Sequence, residues 1–328
     1  MEFINHGFPS DARDADVNGT MDADLHFFWK SAWEEYDKGQ EEDFSQGSTH
    51  FTYERTCVLW NIAALYTYQA AKEDWNSKDG RMAVKNSYAL AAKVLRHIKD
   101  LVKHAKEVDL MPDFYSESLD MCQHMCLAQG QITAYEALKM KLVELNATTS
   151  TYTLLSKIAA GVAMHADLSL QASQGLSIKN QKSSKVWGSH FKILSMLFHA
   201  RAEFLQSQAD RRNSHYGNEI GRLNRAVNMA REGLEFMKSE GFVKMVDGPA
   251  SLGKIPSNLQ SLLVSAKQRR KVIVDENDNI YHEHVPDSKQ LENIQGKDMM
   301  EYDEKKDSEL PAEFMHLARP MFAAIPKA

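Results

Sequence analysis

Proline and glycine are scarce in this chain, at 8 and 16 of 328 residues. Together they make about 7 per cent, against roughly 12 per cent in average usage. None of the prolines falls between Pro112 and Pro249. Sandwiches, barrels and collagen-like repeats turn often and need both residues, so their scarcity favours a mostly helical chain. Cysteine is scarce as well. Cys57, Cys122 and Cys126 are an odd number in a long chain and cannot build a disulfide framework, which points to a reducing, intracellular compartment. No apolar run reaches the roughly 18–20 residues that span a bilayer. Met1 to Gly7 lacks the basic and apolar regions of a secretory signal. The end, Ile325-Pro326-Lys327-Ala328, offers no cysteine to prenylate. Positive charge is also short, with 39 Lys and Arg against 45 Asp and Glu, a formal net charge of -6. That balance argues against the basic footprint of a nucleic-acid binder. A cytoplasmic protein is expected.

What the chain does contain is helical periodicity. Residues 1–24 read as an acidic, disordered leader, since they hold too little apolar surface to order themselves. Leu25-His26-Phe27-Phe28-Trp29 is short, aromatic and β-prone. Apolar residues then recur at steps of three and four. The segment Tyr53 to Glu73 carries Val58, Ile62, Leu65 and Tyr66 on one face, and residues 81–107 carry Tyr88, Ala91, Leu95, Ile98 and Val102. Further helices are expected over Ser116–Val143, 151–173 (with an N-cap among Thr148, Thr149 and Ser150), 183–212 and 216–239. One more is expected near 257–271, before an acidic turn at Asp275–Asn279. Alanine-rich echoes such as Asn61–Tyr66 and Tyr88–Ala92 look like tetratricopeptide-type hairpins. Their irregular period supports a repeat-like helical solenoid and no regular array. The rest, 280–328, reads as a long irregular tail packed along the helical body.

Motifs that would carry chemistry are incomplete. Asp14, Asp16, Asn18 and Asp22 match part of a calcium loop, but Leu25 stands where the bidentate carboxylate should be. An acidic leader is the stronger reading, and a calcium-regulated interaction module the weaker. Gly248 to Lys254 has P-loop spacing, yet Ile255 replaces the Mg²⁺-binding hydroxyl and no α/β pattern surrounds it. Cys122 and Cys126 share a helix face without His124, and two thiols do not make a structural zinc site; buried apolar cysteines are expected. The basic run Lys267 to Lys271 is expected at a helix C-terminus, where cations suit the dipole. No nucleophile sits in a recognisable setting, so no enzyme, cofactor or metal is assigned. The fourth helix is the most informative. Leu155, Ala159, Val162 and Ala166 form one apolar stripe, and Leu154, Ile158 and Gly161 form a second, ending at His165. Packing by a neighbouring helix is the stronger reading of the second stripe. If it is exposed, it offers a groove for an amphipathic helix.

Tyr53-Glu54-Arg55-Thr56-Cys57-Val58-Leu59-Trp60-Asn61-Ile62-Ala63-Ala64-Leu65 resembles the signature of the Bro (BRO-one) domain family. Asp79-Gly80, His97-Ile98-Lys99, Leu127-Ala128-Gln129-Gly130-Gln131, Tyr216 to Leu223 and Ile280 to Asp287 follow in the family's order. The resemblance covers about residues 25–325 and implies a single, N-terminally shortened domain over 25–328. It implies an all-α, boomerang-shaped solenoid with a tetratricopeptide-like core and a small β element near the N-terminus. It implies a non-catalytic adaptor that binds the C-terminal amphipathic helix of an ESCRT-III core subunit. Such an adaptor is cytoplasmic, is recruited to endosomes, and acts in sorting, multivesicular body formation or budding. The family groove falls on Leu154 and Ile158, with Tyr135 and Met300 nearby. Tyr281 matches a tyrosine phosphorylated in some relatives. Other members serve as Rho-GTPase effectors, which makes a signalling scaffold the alternative.

Overall fold

The computed structural model describes residue 29 and residues 51–103, 111–144, 147–176, 181–239, 242 and 253–300. The leader with Asp14, Asp16, Asn18 and Asp22, the β-prone segment before Trp29, and the tail beyond Met300 lie outside the described residues. Seven α-helices are described: α1 Phe51–Lys72, α2 Lys78–Val102, α3 Ser116–Glu144, α4 Thr149–Gly175, α5 Gln181–Arg212, α6 Tyr216–Lys238 and α7 Ile255–Glu276. A 3-10 turn, Pro112–Phe114, precedes α3. No strand occurs among the described residues.

Local chemistry sets the boundaries. The Ser77 hydroxyl accepts the Gly80 N–H at 2.9 Å and opens α2, and the Thr148 hydroxyl accepts the Thr151 N–H at 3.3 Å and opens α4. Each satisfies one of the donors that a helix start leaves without a partner. Pro256 sits in the first turn of α7, where its missing N–H costs nothing. α7 runs past the expected end near residue 271 to Glu276 and continues into a π turn over Asn277–Tyr281. The acidic turn expected at Asp275–Asn279 is therefore helical. Ile273 is fully buried and holds this last stretch on the body. The Asn277 side chain then closes the turn, donating to Glu283 O and accepting from Glu283 N–H, both at 3.0 Å.

Each helix packs on the one before it, from α1 against α2 through α6 against α7. Two clusters form the interior. One gathers α1–α3 around Leu59, Ile98, Phe114, Leu119 and Cys126. The other gathers α3–α7 around Leu155, Val162, Leu197, Leu223 and Leu259. Only half of the face expected for α1 packs inward: Ile62 and Tyr66 lie against the core, and Val58 and Leu65 do not. Leu65 is 55% and Val58 37% exposed, while Thr56, Leu59, Ala63 and Ala70 face inward. α1 is apolar over most of its circumference, so periodicity does not choose its buried side. On α2 the expected Ala91, Leu95 and Ile98 are buried.

Cys57, Cys122 and Cys126 are free and buried. Burial pushes the Cys126 thiol up to about 12, so at neutral pH it behaves as a small apolar group. Arg269 departs from its expected place. It lies inside α7 and meets the fully buried Glu219 of α6 with Nε–Oε1 at 2.6 Å and Nη2–Oε2 at 3.2 Å. The basic run is thus partly an internal ion pair. His282 and His284 are exposed, as a tail reading expects.

Candidate partner-binding site

The tail after the π turn is an extended strap that crosses α6, α4 and α3. It begins where His282 takes a left-handed conformation, φ 53°. Glu283 Oε2 then accepts the Gly217 N–H at 2.7 Å. A side chain at Gly217 would collide with the His284 carbonyl, so the strap's approach requires glycine there. Two buried arginines of α6 hold the next stretch. Arg225 donates to the carbonyls of Ser288 and Leu291, and Arg222 donates to that of Glu292 at 2.7 Å. Both guanidinium groups also pair with Glu203 of α5, each at 3.0 Å. Guanidinium groups held at once by a carboxylate and by backbone carbonyls are rigid supports.

Farther along, the strap meets α3 and α4 through different chemistry. Lys297 N–H donates to Lys157 O at 2.8 Å. The Gln131 side chain spans the contact, donating from Nε2 to Lys297 O at 2.6 Å and accepting at Oε1 from Met299 N–H at 2.8 Å. Nε2 also reaches Ile158 O at 3.2 Å. Gly161 lets the strap backbone lie on α4, because a Cβ there would stand 2.5 Å from both Lys297 O and Gln131 Nε2. Adjacent strap residues then part. Met299 packs on the α3–α7 cluster, while Met300 joins the α1–α3 cluster over Gly130. This alternation is that of extended chain.

A polar relay lies beside the contact. His165 Nε2 stands 3.2 Å from Asp298 Oδ2, and His165 Nδ1 stands 3.3 Å from His124 Nδ1. A carboxylate can only accept, so His165 donates through Nε2, and in its neutral form it takes the His124 Nδ1–H at its other nitrogen. Burial, and then the His165 ring, lower His124 to about 4. Burial works to raise the Asp298 carboxyl, but hydrogen bonds from His165 and from Met300 N–H outweigh it and hold the group below its ordinary value.

The residues named from sequence fall as follows. Leu154 is half-buried at the N-terminal end of the second stripe. Ile158, one turn on, is 1% exposed, Tyr135 is 3% and Met300 is 7%. Leu154, Ile158 and Tyr135 share the α3–α7 cluster, whereas Met300 belongs to the other. The second stripe is therefore covered: the strap backbone lies on it at Gly161, and Ile294 and Met299 pack against the same cluster as Ile158. Tyr135 meets Phe198 of α5 edge to face at 5.5 Å, and the Arg201 guanidinium lies 5.6 Å and 4.8 Å from their ring centres. Tyr281 stacks on Tyr216 and is 37% exposed. Gln131, Gly161 and Asp298 were not picked out as site residues. Gln131 and Gly161 were visible as polar or minimal residues inside apolar stripes, but their partners lie more than a hundred residues away. Among the described residues no group of three His, Cys, Asp or Glu side chains is placed to hold a metal, and no helix is long and apolar enough to cross a membrane.

Comparison with known proteins bears on the family and the fold. The BRO1-like domain model matches residues 12–325. Programmed cell death 6-interacting protein of Xenopus laevis is 27% identical over 279 residues, 82% of this chain and 28% of that protein. The vacuolar protein-sorting protein BRO1 of Gibberella zeae is 26% identical over 249 residues, 74% of this chain and 23% of that protein. The chain thus spans under a third of the length of these relatives. Among solved structures, the ALIX BRO1 domain in complex with CHMP4C superposes with a TM-score of 0.61 at 21% identity, covering 77% of this chain and 63% of that one. A Bro1 domain described as the basis for endosomal targeting gives 0.62 at 16% identity, covering 87% and 68%. By sequence and by fold, the chain belongs to the BRO1-like domain family.

Proposed function

We propose that this protein is a non-catalytic adaptor of endosomal sorting that receives the C-terminal amphipathic helix of an ESCRT-III core subunit on the α3–α4 face. The observation that carries the reading is family membership over nearly the whole chain, together with a solved relative of the same fold whose BRO1 domain is in complex with CHMP4C. Leu154 is the anchor at the accessible end of the stripe, with Ile158 one turn on, Tyr135 in the cluster behind them and Met300 at the distal end of the strap. Burying a large apolar side chain of the partner there is worth roughly 1.5–3 kcal/mol. The bent outline and tetratricopeptide-like core, a cytoplasmic location and recruitment to endosomes through the partner belong to the same reading. Asp14, Asp16, Asn18 and Asp22 are left as leader residues, and Tyr281 as a candidate modification site.

The test is a titration of a labelled CHMP4C C-terminal peptide against the protein and its Leu154→Asp variant. Loss of at least about tenfold in affinity, roughly 1.4 kcal/mol, in a variant that still unfolds cooperatively, is the expected result. Equal affinity in both proteins would remove the site from this face.

A further inference from the structure

The two halves of the strap are held by unlike forces. From Ser288 to Glu292 the carbonyls are bound by Arg222 and Arg225, whose guanidinium groups are buried, permanently charged and backed by Glu203. From Ile294 to Met300 the bonds are neutral amide contacts, through Lys157 O and the two ends of the Gln131 side chain. Only His165 to Asp298 involves a charge there. Bonds to charged groups are about twice as strong as neutral ones, so the distal half is the half that yields first. Gly296 lies in that distal half with its backbone against Gly161 and Ala160, and it has no side chain to resist a change of direction.

Release also leaves few groups stranded. Gln131 Nε2 keeps Ile158 O as an acceptor. Lys157 O lies within α4, where the helix supplies its own donor. The apolar side chains that leave are Ile294 and Met299, which are partly buried on the α3–α7 cluster, and Met300, which is buried in the α1–α3 cluster over Gly130. They are of the size and kind that one face of an amphipathic helix would substitute. Meanwhile Ile158, at 1% exposed, touches no partner while the strap is down.

We infer that residues 294–300 are a displaceable cover: an amphipathic helix occupies the Leu154–Ile158 stripe by lifting this half of the strap from Gln131 and Gly161, while Ser288–Glu292 stays fixed on α6. The inference rests on the reading of the α3–α4 face as the helix-binding site. The strap then acts as a built-in competitor, and the strength of its distal bonds sets the affinity for the partner.

Hydrogen exchange with mass spectrometry on the full chain, with and without saturating CHMP4C C-terminal peptide, tests this. It is run beside peptide titrations of Gln131→Ala, Asp298→Asn and Leu154→Asp. Peptide should speed exchange across 294–300 at least about tenfold and leave 284–292 unchanged. Gln131→Ala deletes two strap bonds from the α3 side, and Asp298→Asn weakens one from the strap side. Each should bind peptide about three- to tenfold more tightly, as expected for loss of competing bonds worth about a decade. If peptide binds, depends on Leu154, and leaves 294–300 equally or better protected, with neither loosening variant binding more tightly, the cover is wrong and the site stands. If Leu154→Asp binds as well as the parent, the site itself is wrong and the cover falls with it.

Discussion

Glu219 and Arg269, fifty residues apart, form a two-point ion pair in which the carboxylate is fully buried. It ties α7 to α6 at the root of the strap. Removing one member of a buried pair leaves an uncompensated charge, which costs about 3–5 kcal/mol. Arg269→Met should therefore lower the free energy of unfolding by that order in urea titrations. Adding Glu219→Gln to it should recover much of the loss. A single variant within about 0.5 kcal/mol of the parent would show that the pair contributes little.

Aspartate at positions 154 and 158 should have different consequences, although both lie on one stripe. Ile158 is enclosed by the α3–α7 cluster and the strap, so a carboxylate there must lose its hydration. Ile158→Asp is expected to cost about 4 kcal/mol or more, combining lost burial with an unpaired buried charge. Leu154, half-buried, should tolerate the change within about 1–2 kcal/mol. Thermal melts by circular dichroism decide between them. Equal losses would mean that Ile158 is not enclosed as its 1% exposure requires. Only Leu154→Asp is then a clean probe of binding.

These contrasts mark what the sequence could convey. Helix positions were legible because propensity, caps and spacing act locally: α3 was expected to start at Ser116 and α6 near Tyr216, where both begin. The inner stripe of α4 was also legible, and Leu155, Ala159, Val162 and Ala166 are all fully buried. The strap was not. Extended chain has no helical period, and its contacts with Arg222, Arg225 and Gln131 reach across 63 to 168 residues. A covered stripe and an open groove read identically along a helix, so the state of Ile158 depended on a segment with no pattern of its own. The basic run misled for a related reason, since Arg269 answers a buried carboxylate on another helix.

At Gly217 and Gly161 the strap backbone occupies the space that a helix side chain would need. Alanine would ordinarily stabilise a helix interior by roughly 1 kcal/mol over glycine. Here that gain is outweighed, because the new Cβ meets a strap carbonyl at both positions. Gly161→Ala should free the distal strap and Gly217→Ala the proximal one. Limited proteolysis checks this: cleavage within 284–300 should appear sooner in either variant, by roughly tenfold in rate if the shift costs about 1.4 kcal/mol. Cleavage at the parent rate, with a raised melting temperature, would mean that the strap adjusts without cost.

His124 gives the fold a dependence on pH whose direction follows from its low value. In the folded chain it titrates at about 4 against an ordinary 6.5, chiefly because it is buried and secondly because His165 adjoins it. Lys99 from α2 also disfavours its charge, while Asp120 from α3 and Asp298 from the strap favour it. Between these two pH values the unfolded chain binds a proton that the folded chain refuses. Its contribution is complete above about pH 6.5 and is lost as pH falls toward 4, to a total on the order of 3 kcal/mol. His190, lowered by burial, acts in the same direction, whereas Asp210, raised by burial, acts in the opposite one. Asp298, held below its ordinary 3.8, loses its contribution only in more acid solution, below the window compared here. The diagnostic is the difference between the parent and His124→Gln in urea unfolding at pH 7 and pH 5. The parent should lose on the order of 2 kcal/mol more than the variant over that interval, since about 1.36 kcal/mol accompanies each unit of pH between the two titrations. Equal losses in both proteins would show that His124 is solvated in the folded chain and that the relay to Asp298 is open to water.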